Sequence, residues 1–230
     1  MNQKERSWPD TLLGVVLLFA IAAALYMTFL VAPRERTMGD VQRIFYFHVP
    51  SGITALTAFA VNFVASLMYL LRKDRKWDRL ALSAAEIGVM FISIVLITGP
   101  IWAKPVWFVW WTWSPRLTSS LILGLLYVAY LLVRNYVPDP ERKAAVSAVF
   151  GIIAFVDAPI VWFSIRWWRD VHPSAMIETG GLPDPAMRMT LLVCWAAFQL
   201  LFIYLMRRRY YLETARQDTE WIVRTADAAR

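Results

Sequence analysis

Six stretches of this chain are too long, too apolar and too poor in charge to fold in water: Thr11–Ala32, Val49–Leu71, Leu80–Ile101, Leu117–Val133, Ala144–Ile165 and Met189–Met206. Crossing a hydrocarbon core takes roughly 20 helical residues, and a helix bonds its own backbone groups where no water can. Only two charged side chains, Glu86 and Asp157, fall inside the six stretches. The chain therefore reads as all-α: one integral membrane domain over residues 1–230, polytopic, with six transmembrane helices. Its charged fraction of 18% lies below the roughly 25% usual for soluble domains. The first stretch spans 22 residues and five more follow it, so it reads as a span and not as a cleaved signal.

The net charge of +7 invites a nucleic-acid reading, but the basic residues sit in short loops between apolar runs, where they set topology. An even number of spans puts both termini on one side. That side carries Lys4, Arg6, the loop residues Arg72, Lys73, Arg75, Lys76 and Arg79, then Arg134, Arg142 and Lys143, and six arginines of the tail, 16 in all. The other side carries eight: Arg34, Arg36, Arg43, Lys104, Arg116, Arg166, Arg169 and Arg188. The positive-inside rule makes both termini cytoplasmic. Three connections then face outward: Pro33–Phe47, the Trp-rich Trp102–Arg116, and Arg166–Arg188.

Five of the twelve tryptophans, Trp102, Trp107, Trp110, Trp111 and Trp113, fall in the second of these connections. An aromatic belt at the membrane surface accounts for isolated examples such as Trp8 or Trp77. Five in one loop exceed a belt and form an apolar, polarizable surface suited to a flat ligand. The chain has two histidines. His48 closes the first outward connection and His172 lies in the third, each followed within two residues by a proline that restricts the local backbone. A single interfacial histidine is ordinarily a surface or capping residue, whereas two flanking the Trp-rich loop offer axial donors to a haem iron. Arg116, Lys104 or Arg169 could pair the propionates. Zinc calls for three or four protein ligands, and the one cysteine, Cys194, sits in an apolar run where it packs as a small hydrophobe.

The run TGPIWAKPVWFVWWTWSPRLTSSLIL (Thr98–Leu123) resembles the tryptophan-rich WWD signature of haem-handling proteins in cytochrome c biogenesis. QRIFYFHVPS (Gln42–Ser51) and DAPIVWFSIRWWRDVHP (Asp157–Pro173) resemble the two histidine-bearing stretches of its cytochrome c maturation protein C branch, and span count, loop order and length agree. The resemblance implies a bacterial inner-membrane protein whose periplasmic face holds haem b transiently. His48 and His172 would be the axial iron ligands, the five tryptophans would cradle the ring, and Arg116 would stand at the end of that surface. It further implies delivery to a periplasmic haem chaperone, and work beside ATP-binding-cassette transporter subunits and a small single-span subunit. Ala103 and Phe108 stand where the pattern has glycine, and Ser114 where it has aspartate.

The reading is therefore haem binding and transfer within the membrane, without bond-making chemistry and without nucleic acid. The alternatives are a haem lyase component, against which the lack of a large outward domain argues, and a haem-transporting subunit. For the polar residues at depth, helix packing is the favoured role of Glu86 and Asp157, and interhelical hydrogen bonding that of Asn62 and Gln199.

Overall fold

The computed structural model describes residues 3–168, 182 and 184–228. Its elements are all helical among these residues. Helix α1 (Gln3–Tyr26) ends in a π-helical turn, Met27–Val31, and a 3-10 turn, Asp40–Ile44, leads into α2 (Phe45–Arg72). Then follow α3 (Arg75–Trp107), α4 (Pro115–Tyr136), α5 (Pro140–Phe155), α6 (Asp157–Trp168) and α7 (Pro185–Ala228). Six segments are long and apolar enough to cross a membrane: Trp8–Val31, Asp40–Arg72, Arg75–Trp107, Pro115–Tyr136, Pro140–Ser164 and Pro185–Glu220. The expected all-α, six-span architecture is what the chain forms.

The elements outrun the spans expected from hydropathy. Helix α3 does not stop at Ile101 but continues through Trp102 and Pro105 to Trp107, so the start of the Trp-rich connection, up to Trp107, is helix. The fifth span is two helices meeting at Val156. Pro159 has no N–H to offer the Phe155 carbonyl four residues back, and the Val156 amide instead donates to the Ile153 carbonyl at 3.1 Å. Asp157 opens α6 at this break, with a buried Oδ2 that has no hydrogen-bond partner among the described residues.

The α2–α3 hairpin is the centre of the molecule. Lys73 closes α2 in the left-handed conformation (φ 55°), and Asp74 caps α3 by accepting from the Lys76 amide at 2.9 Å. Close approach of the two helices rests on Gly88. The Phe59 ring lies where a side chain would be, 2.6 Å from an ideal Cβ to its Cδ1 and nearer still to Cε1. Phe59 in turn stacks on Tyr127 of α4 with centroids 3.7 Å apart. This cluster is a small-residue contact of the kind that lets membrane helices pack without a hydrophobic driving force.

Polar side chains then fix the register. Asn62 Nδ2 donates to the Ala81 carbonyl at 2.8 Å, joining α2 to α3, and Gln199 Nε2 donates to Thr54 Oγ1 at 3.0 Å, joining α7 to α2. Glu86 meets Arg209 of α7, which also reaches Glu213 at 3.2 Å. Asp10 pairs with Arg207 at 2.7 Å. Most enclosed is Asp78 with Arg134: the guanidinium spans both carboxylate oxygens at 2.6 and 2.9 Å, and both side chains are buried. Cys194 is buried with Sγ 3.4 Å from Thr28 Oγ1, a packing position.

Candidate functional site

The start of α2, the end of α3, the start of α4 and the end of α6 gather at one end of the bundle, and His48 and the Trp-rich run gather with them. His48 lies in the first turn of α2, buried against α3. Three residues of α3 receive it. Thr98 Oγ1 is 2.8 Å from His48 Nδ1. Gly99 lies beside the ring, an ideal Cβ there meeting His48 Cε1 at 3.4 Å. Trp102 stands against the imidazole with centroids 5.9 Å apart. Positions 98, 99 and 102 recur at one helical turn and so share a face.

The approach to His48 is itself braced. The π-helical turn ending α1 displaces backbone carbonyls from their usual partners, and Arg43 Nη1 donates to one of them, Thr28 O, at 2.7 Å. The same side chain bonds Asp40 Oδ1 at 3.3 Å and lies over the Phe29 ring. It thus ties the 3-10 turn that carries the chain into His48 to the end of α1.

The five tryptophans divide into two groups. Trp102 is 2% exposed and packs behind His48, edge-on to Phe45 at 5.9 Å and tilted to Trp107 at 6.2 Å. Trp107, Trp110 and Trp113 are 36%, 58% and 75% exposed, and Trp111 is half-buried, edge-on to Trp113 at 6.0 Å. The backbone turns at Phe108, whose φ of 63° places it in the left-handed region and whose side chain is fully outside. Glycine, which the family resemblance puts at 108, adopts that conformation without steric cost. Lys104 Nζ caps the helix end by donating to Phe108 O at 3.1 Å and lies over the Trp110 ring at 5.9 Å.

Arg116 lies in the first turn of α4, and its Nη1 donates to the Val161 carbonyl of α6 at 2.9 Å. This bond holds the Trp-rich connection to a second aromatic run, in which Phe163 stacks on Trp167 at 5.5 Å and Trp168 follows edge-on. His172 and Arg169 lie outside the described residues.

The arrangement offers an open aromatic surface, its rings tilted or edge-on to one another, at the same end of the bundle as a buried histidine, with Lys104 over Trp110 and Arg116 nearby. At the opposite end of the bundle a cavity of about 1070 Å³ is lined by Tyr69, Asp78, Arg134, Glu141, Arg142 and Glu213 among others. That lining of both charge signs suits water and ions, not a flat apolar ring. Thr98, Gly99 and Arg43 were not singled out from sequence. The first two share a helix face with Trp102, but nothing in their residue type marks them as partners of His48.

Six spanning helices with an aromatic, histidine-bearing end define a polytopic membrane protein. The family model for Heme exporter protein C matches residues 3–223, and the chain belongs to that family. It is 35% identical over 195 residues to Heme exporter protein C of Bradyrhizobium diazoefficiens, covering 84% of this chain and 74% of the relative. It is 31% identical over 213 residues to Heme exporter protein C of Escherichia coli K12, covering 88% and 86%. A putative cytochrome c biosynthesis ccmC-like mitochondrial protein of Marchantia polymorpha is 33% identical over 184 residues, covering 80% and 78%.

Proposed function

We propose that this protein handles haem for cytochrome c maturation, holding haem b as a transient cargo on the surface formed by Trp107, Trp110, Trp111 and Trp113. His48 and His172 are the axial ligands. Trp102 supports the site from behind His48, and Lys104 and Arg116 are the cations on hand for the propionates. The observation that carries the reading is the seating of His48 on Thr98, Gly99 and Trp102, the last of which links it to the exposed tryptophan run through Trp107. Membership in the heme exporter protein C family and the names of its relatives supply the cargo; the Marchantia relative's name supplies the pathway.

In this reading the histidine-bearing end is periplasmic and the termini are cytoplasmic, in keeping with the 16-to-8 distribution of Lys and Arg. The membrane is the bacterial inner membrane. An open surface, unlike an enclosed pocket, leaves the ring within reach of a periplasmic haem chaperone. Two Fe–His bonds would hold the haem, and transfer requires weakening at least one of them. No covalent chemistry is required of the chain itself. ATP-binding-cassette subunits and a small single-span subunit complete the system.

The test is a hemin titration of the purified full-length protein in detergent, followed by Soret absorbance, alongside His48→Ala and His172→Ala. Each substitution is expected to remove most of the bound hemin and to shift the Soret band. Full occupancy with an unchanged band in the protein lacking both histidines overturns the reading.

A further inference from the structure

The Thr98 hydroxyl has one hydrogen and two close neighbours. It lies 2.7 Å from the Ile94 carbonyl oxygen, one turn back along α3, and 2.8 Å from His48 Nδ1. The carbonyl can only accept, so the contact with Ile94 uses the hydroxyl hydrogen, as in the back-bonding that threonine commonly makes within helices. Oxygen lone pairs are what remains for His48. A close contact between a lone pair and an unprotonated ring nitrogen would be repulsive, so Nδ1 must carry the proton and donate it.

The consequence falls on the other nitrogen. A neutral imidazole protonated at Nδ1 presents an unprotonated Nε2, and among the described residues the imidazole makes its hydrogen bond through Nδ1. The ring is held in place on its remaining sides. Gly99 lies against Cε1, Trp102 packs beside it, and the Ile94 bond fixes the Thr98 side chain.

We infer that Thr98 is a positioning residue for iron binding: by accepting from Nδ1–H it locks His48 in the tautomer whose Nε2 lone pair faces a metal. The inference rests on the reading of His48 as an iron ligand and adds to it a residue one hydrogen bond behind that ligand. A metal-bound histidine ordinarily donates its second N–H to such an acceptor, which fixes ring orientation and raises ligand basicity. Threonine does this here without a charge, from within a span where a carboxylate would be expensive.

The experiment compares the full-length protein with Thr98→Val, Thr98→Ser and His48→Ala, each titrated with hemin, and follows both affinity and the midpoint potential of the bound iron. Thr98→Val keeps the shape but removes the acceptor. It is expected to weaken hemin binding by about 10- to 100-fold and to raise the potential, because a less basic imidazole stabilises the ferric state less. Thr98→Ser retains the hydroxyl and is expected to behave as the parent in both. A purely structural role would change stability but leave the potential of the remaining bound hemin in place. If Thr98→Val matches the parent in affinity and potential while His48→Ala loses hemin, the role of Thr98 is wrong and the ligand assignment stands. If Thr98→Ser shifts the potential as far as Thr98→Val, the hydroxyl is not the cause and the inference fails. If His48→Ala also retains hemin unchanged, the ligand assignment itself falls.

Discussion

Placing a single methyl group on Gly88 should separate the two helices that form the histidine site. An ideal Cβ there sits 2.6 Å from Cδ1 of Phe59, about 1 Å inside normal carbon–carbon contact. Phe59 cannot simply retreat, because it is fully buried and Tyr127 covers one face of its ring at 3.7 Å. Either α2 and α3 move apart or the ring leaves its rotamer. Overpacking of this size costs about 1–3 kcal/mol. The damage should reach the site, since His48 is on α2 and Thr98 on α3, and their 2.8 Å contact depends on the spacing between them. Reversible unfolding in mixed SDS micelles, followed by tryptophan fluorescence, measures the cost for Gly88→Ala, Phe59→Leu and the pair together. The smaller side chain should rescue much of the loss, so the two effects should not add. A Gly88→Ala protein within about 0.5 kcal/mol of the parent, or strictly additive penalties, would refute the steric account of this contact.

Other consequences are as direct. At Gly99 a methyl meets His48 Cε1 at ordinary contact distance, so Gly99→Ala should keep hemin binding whereas the branched Gly99→Val should push the ring away and weaken it, as read by Soret titration. Arg134→Leu strands Asp78 in a buried position, which should cost about 3–5 kcal/mol in the same unfolding assay; adding Asp78→Leu should recover most of it. Phe108 has φ 63° and an exposed ring, so Phe108→Gly should be more stable than Phe108→Ala by about 1 kcal/mol, the pair of variants isolating backbone strain from loss of the side chain.

The spans were legible because hydropathy reports where a chain can lie in lipid. It does not report where a helix ends. Trp102, Lys104 and Pro105 read as interface residues, yet α3 carries them as its last turns, running on although Pro105 removes one helical N–H. The break between α5 and α6 was foreshadowed by Pro159, whose missing N–H is a local property. Glu86 and Asn62 were recognisable as packing residues because polar groups at depth need partners. Which partners they take was not, since Arg209 and Ala81 become neighbours only through the fold. The Asp78–Arg134 pair was invisible for the same reason: both residues lie near span ends, where charges are ordinary, and 56 residues separate them.

The site shows the same division. Clustering of tryptophan and the scarcity of histidine pointed to one end of the molecule, but residue type alone cannot tell a lining side chain from a supporting one. Trp102 and Trp113 are the same residue in the same motif, and one is buried behind His48 while the other is open. A threonine inside a span usually serves its own helix, so nothing in its identity sets Thr98 apart. Only the 2.8 Å distance to the imidazole does.

Electron paramagnetic resonance of the full-length protein loaded with ferric hemin in nanodiscs tests the central claim most directly. Two histidine ligands predict a low-spin signal in the parent, and loss of that signal in favour of high-spin iron, with reduced occupancy, in His48→Ala and again in His172→Ala. An unaltered low-spin signal at full occupancy in His48→Ala would contradict it.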